Sequence, residues 1–114
     1  MFDWLGWRVF DSQGRRVGTL SGIYEDGATR APAWFLVRLG RFSTRYVLTP
    51  PADVLASEGR LWLPYLRETI EGAPLHFAPP AATSPSLEQV LRAHYRLDGA
   101  SAGDIAVNAR RLPA

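Results

Sequence analysis

The stretch Ala33-Trp34-Phe35-Leu36-Val37-Arg38-Leu39 constrains this chain more than any other, because it stays apolar at consecutive positions until Arg38. Its aromatic and β-branched residues favour a strand, and Gly40 ends it. Side chains of a strand point alternately to opposite faces, so a strand with one wet face alternates apolar and polar residues. This one does not alternate and needs cover on both sides. One face is expected to line a core. The other is expected to meet the C-terminal helix or a second copy of the chain.

The neighbouring segments read as further strands. Trp7-Arg8-Val9-Phe10 meets the turn Asp11-Ser12-Gln13-Gly14, and the chain returns through a second strand that begins near Arg16 and closes at Glu25-Asp26-Gly27. Gly18 and Gly22 inside that strand mark a bend or a close backbone approach. Arg45-Tyr46-Val47-Leu48-Thr49 is stopped by Pro50-Pro51. Residues 52–57 read as a turn-like connection. Arg60-Leu61-Trp62-Leu63-Pro64 alternates, with Leu61 and Leu63 on one face and the direction of Trp62 open. The fold expected is mainly β: a small barrel of five to six strands followed by a C-terminal α-helix.

A Pro-rich linker is expected over 79–85 and a helix over 86–97. Ser86-Leu87-Glu88-Gln89 has capping-box spacing, and Ser84 with Pro85 in the first turn is the alternative start. Leu87, Val90, Leu91 and Tyr95 recur at helical spacing as one apolar stripe. Glu88 and Arg92 stand four apart in the favourable order. The helix is expected to end near Leu97, before Asp98-Gly99. The division is thus a barrel over 1–78, the linker, the helix, and a polar tail over 98–114 that is mobile or loosely docked.

Composition narrows the chemistry. The chain has 114 residues, enough for one domain, and no cysteine, so disulfides and thiolate metal sites are excluded. All 13 basic residues are Arg, against 11 acidic ones, for a net charge of +2. Lysine chemistry is therefore absent, and the balance argues against strong long-range attraction to nucleic acid. Nothing resembles a signal peptide or a membrane span, and the expected location is the cytoplasm. His76 and His94 are the only histidines, and neither sits at metal-ligand spacing with other donors. Asp11, Asp26 and Asp53 fall at turns, where Asp commonly accepts from nearby backbone. Serine elbows, P-loops and dinucleotide fingerprints are missing.

In order, Val9-Phe10-Asp11 through Gly14, Val17-Gly18, Glu25-Asp26, Pro32-Ala33-Trp34-Phe35-Leu36-Val37, Tyr46-Val47-Leu48-Thr49-Pro50 and Leu63-Pro64-Tyr65 through Ala73-Pro74 resemble the PRC-barrel family over about residues 6 to 77. The helix with His94-Tyr95 looks like the one that follows the barrel in free-standing bacterial members. The resemblance implies a small all-β barrel that acts as a binding module, often as a homodimer. In reaction-centre H subunits such a barrel follows a membrane helix, and in RimM-type ribosome maturation factors it follows another domain. This sequence shows neither feature ahead of its barrel.

The expectation is a non-catalytic interaction module without cofactor or metal, self-associating as a homodimer, with an unidentified protein partner and no membrane. Trp34, Phe35, Leu36, Val37, Leu87, Val90, Leu91 and Tyr95 are its candidate interface. An RNA- or ribosome-associated role is the alternative, using Arg15, Arg16, Arg38, Arg41 and Arg45. A small-ligand-binding barrel is a further alternative. Trp7, Trp34 and Trp62 are expected in packing, and Trp4 over a barrel end or against a partner.

Overall fold

The structure is a computed structural model, which describes residues 2–40, 44–97 and 110–111, with the side chains of Phe2, Arg110 and Arg111 excepted. A single 3-10 turn, Phe2–Trp4, precedes six strands: β1 Arg8–Phe10, β2 Arg16–Glu25, β3 Pro32–Leu39, β4 Tyr46–Thr49, β5 Leu55–Ser57 and β6 Arg60–Trp62. Two helices follow, α1 Arg67–Glu71 and α2 Pro85–His94, and then a short strand β7, Arg110–Arg111. The strands form one mainly antiparallel sheet in the order β4-β3-β2-β1-β6-β5, with β7 paired to β2. The sheet does not close on itself, although β1 and β6 join in parallel. No helix among the described residues is long and apolar enough to cross a membrane.

The long pair β2–β3 is the spine. Gly18 lies opposite Leu39, and a Cβ built there would stand 1.9 Å from the carbonyl oxygen of Arg38. Only glycine permits that approach, which is the close contact expected of this strand. On the inner face Leu20, Val37 and Val47 form one cross-strand row, all buried. Phe35 lies on the same face of β3 as Val37 and meets the edge of Trp4 (centroids 6.3 Å, 71°). Trp4 thereby covers one end of the core. Each large apolar side chain buried this fully contributes about 1.5–3 kcal/mol.

The outer face of β3 carries Trp34 and Leu36, also buried. Their cover is α2 of the same chain. Trp34 Nε1 donates to Glu88 Oε1 (2.8 Å), and the Tyr95 hydroxyl donates to the Leu48 carbonyl on neighbouring β4 (2.7 Å). The linker lies close too: the Tyr24 hydroxyl donates to the Pro80 carbonyl, and Thr83 is buried with its hydroxyl on Glu88 Oε1.

Several details differ from expectation. The helix begins at Pro85, because Ser84 takes the cap and its Oγ accepts from the Leu87 N–H (3.1 Å). It ends at His94, not near Leu97. Arg96 adopts φ 57°, its N–H donating to Ala93, while the Leu97 N–H reaches Arg92 (2.8 Å). This closure is a Schellman turn made by arginine, where the sequence pointed to the later Gly99. The buried stripe is Glu88, Leu91 and Tyr95, with Leu87 half-buried and Val90 exposed at 51%. Within 52–57, residues 55–57 form β5, joined to β6 through Glu58 (φ 49°) and Gly59 (φ 80°), a type I′ pair of angles. Of the expected tail, 98–109 and 112–114 lie outside the described residues.

Candidate partner-binding surface

The tripeptides Arg8-Val9-Phe10 and Arg60-Leu61-Trp62 share one pattern: basic, aliphatic, aromatic. They become β1 and β6, and their parallel pairing sets Arg8 beside Arg60, Val9 beside Leu61 and Phe10 beside Trp62. Val9 and Leu61 are buried, so the other four side chains must face outward. Phe10 and Trp62 stack with centroids 5.8 Å apart and planes 24° apart. Such a pair is worth about 0.5–1.5 kcal/mol beyond its buried area.

The hairpin partner β5 extends both rows. Leu55 lies opposite Trp62 and is 68% exposed, while Ser57 lies opposite Arg60. The outer surface here carries an apolar row, Leu55–Trp62–Phe10, and beside it a basic row, Ser57–Arg60–Arg8, which runs on through Thr19 to Arg38. All three residues of β5 are exposed, and β5 stands at the end of the sheet with β6 as its only described neighbour.

A buried carboxylate anchors this half of the molecule. Asp11, at the end of β1, accepts from the N–H groups of Gln13 (3.0 Å), Arg15 (2.7 Å) and Arg67 (3.0 Å) and from Arg15 Nε (2.9 Å). Burial pushes its pKa up, but the backbone donors from Arg15, Arg67 and Gln13 and the Arg15 guanidinium outweigh it and hold the pKa below the usual value. Arg15 also grips Glu68 on α1 (2.7 Å). The β1–β2 turn and α1 are thus clamped together.

The expected site residues fall into separate places. Trp34, Phe35, Leu36, Val37, Leu91 and Tyr95 are buried within the single chain, and Leu87 is half-buried. Cover for β3 thus comes from within the chain, and this strand supplies no argument for a second copy. Val90 alone of those eight is exposed. Among the arginines, Arg15 is engaged by Asp11 and Glu68, Arg38 is half-buried in the basic row, Arg16 and Arg45 are exposed, and Arg41 lies outside the described residues. Phe10, Trp62, Leu55 and Arg8 were not among the expected site residues. The repeated tripeptide was the signal that could have found them.

Among the described residues no three His, Cys, Asp or Glu side chains group as metal ligands. His76 uses its backbone to pair with Tyr46, and burial lowers its pKa. His94 Nε2 stands 2.6 Å from the Thr69 carbonyl, so that nitrogen carries the proton. A cleft of about 240 Å³ between β3 and α2 is lined by Trp34, Pro50, Pro51, Glu88 and Arg92, with Asp26 at its margin. Asp26 there accepts from the N–H groups of Ala28 (2.7 Å) and Thr29 (3.0 Å), as an aspartate in a turn does.

A comparison with protein-family models matches residues 2–70 to the PRC-barrel domain. No curated protein matches the chain.

Proposed function

The chain belongs to the PRC-barrel domain family, and we propose that it is a non-catalytic protein-interaction module whose contact surface is the outer face of β1, β6 and β5. One observation carries the reading: the apolar row Leu55–Trp62–Phe10 runs across three strands to an edge that no described element covers. Leu55 is exposed and Trp62 and Phe10 are half-buried, and an apolar row that reaches solvent beside a strand edge without a described neighbour favours docking. Affinity capture with the intact chain and with a Leu55→Glu/Trp62→Glu double variant tests it. Proteins held by the parent should be lost from the double variant while its circular dichroism is unchanged. Retention of the same proteins by the folded variant would reject this surface.

Self-association is a second reading, favoured by Val90, which stands 51% exposed on the outer side of α2. Light scattering on the parent and on Val90→Asp separates the two. A dimer that dissociates in the variant supports it, and a parent that stays monomeric at high micromolar concentration removes it.

A further inference from the structure

We propose that β5 accepts an extended segment of a partner protein as an added strand, and that the segment carries an apolar residue and an acidic residue two positions apart. This rests on the interaction-module reading above and names the chemistry of the partner. The backbone comes first. Ser57 and Arg60 flank the two-residue turn and form the hydrogen-bonded pair that closes the hairpin. By the alternation of an antiparallel ladder, Ala56 then turns its N–H and C=O away from β6, toward the open side. That edge offers a donor and an acceptor to an incoming strand.

The side chains specify which strand. Arg8 and Arg60 lie side by side in register and both are exposed. Like charges so placed repel, and neither takes part in the salt bridges Arg15–Asp11, Arg15–Glu68 and Arg67–Glu71. The basic row lacks an acid that an occupant can supply. A strand laid against β5 would set one residue beside Leu55, extending the apolar row. Its residue two positions away would lie beside Ser57, where a carboxylate on a flexible stem meets Arg60. A strand repeats every two residues on one face, so both demands fall on the same side of the segment.

The same geometry disfavours a second copy at this edge. A two-fold antiparallel pairing centred on Ala56 sets Leu55 against Ser57 of the other copy. The apolar row of each molecule then runs into the basic row of its twin. Single-stranded nucleic acid could use the arginines and the Phe10–Trp62 stack, but it has no use for the open backbone of Ala56 or for exposed Leu55.

Fluorescence anisotropy with the full chain tests the proposal. The probes are an end-blocked nine-residue peptide with valine and glutamate alternating on one face and threonine on the other, its lysine-for-glutamate counterpart, and a ten-nucleotide oligouridine. The glutamate peptide should bind at low salt, and the lysine peptide about tenfold or more weakly. Ala56→Pro removes the outward N–H while leaving the pairing to β6, and should abolish binding. Arg8→Glu/Arg60→Glu should reverse the preference, so that the lysine peptide now binds; this gain does not depend on interpreting a loss. Equal binding of both peptides, undiminished binding to Ala56→Pro, or binding of oligouridine without either peptide would overturn the proposal. A null result with these peptides, beside capture that Leu55→Glu/Trp62→Glu abolishes, would reject the acidic strand and leave the interaction surface standing. A null result with these peptides beside capture that the folded double variant retains would reject the surface itself.

Discussion

The two ends of the sheet are treated differently. At one end β4 is almost wholly buried, and its free edge is taken by the segment after α1: the Tyr46 N–H donates to His76 (2.7 Å) and the His76 N–H returns to Tyr46 (2.9 Å). The Tyr95 hydroxyl then takes the Leu48 carbonyl. At the other end β5 is exposed at every residue, and its outer edge has no described neighbour. An uncovered edge invites pairing with other chains, and keeping it only three residues long limits the hazard. One end is built for stability. The other leaves strand-pairing capacity that no described element uses, and the proposed contact surface rests on it.

The sharpest way to break this contrast is the same substitution at both ends. Leu48→Ala should cost about 3 kcal/mol, because it opens a cavity in a packed layer, whereas Leu55→Ala should stay within about 0.5 kcal/mol. Urea unfolding of the two variants measures the difference, and similar losses would mean that β5 is covered in solution. Asp11→Asn should cost about 2 kcal/mol by weakening charge-assisted hydrogen bonds at the end of β1. Its pH signature is specific. The folded pKa of Asp11 lies below the unfolded value, so its contribution is present above the unfolded pKa, about 3.9, and fades as pH falls through the lower folded value. The parent should lose stability below about pH 4 more steeply than Asp11→Asn, and parallel curves would remove the carboxylate from that role. Tyr95→Phe should cost about 1 kcal/mol through the lost bond to Leu48, with no effect on peptide binding at β5. Smallest is Glu58→Asn, which relieves a left-handed φ in the β5–β6 turn and should gain at most about 1 kcal/mol.

Much of the frame was legible from particular residues. The two-faced apolarity of β3 demanded cover on both sides, and both sides are covered. Ser84 with Pro85 was a recognised start for α2, and Asp11 and Asp26 accept from backbone N–H groups of their own turns. The helix face that packs within the chain differs from the apolar stripe at one position. Hydrophobicity selected Val90, but the face that packs uses Glu88, because the Trp34 indole and the Thr83 hydroxyl supply donors to its carboxylate. Arg96 took the left-handed turn directly after Tyr95, whose hydroxyl is held by the Leu48 carbonyl. Residues 55–57 gave little strand signal, since they bury nothing and pair only through a turn whose Glu58 is an uncommon choice for its angles.

From the sequence alone came the need: a strand that could not face water, a helix with a defined start, and a chain without cysteine or lysine. What covers the strand was a tertiary decision, made when α2 folded back onto β3 and took Glu88 inward. So was the meeting of Arg8 with Arg60. Some fifty residues separate them in the chain, and they align only because Val9 and Leu61 enter the same core layer, which fixes the register of β1 on β6 and turns both arginines and both aromatics outward.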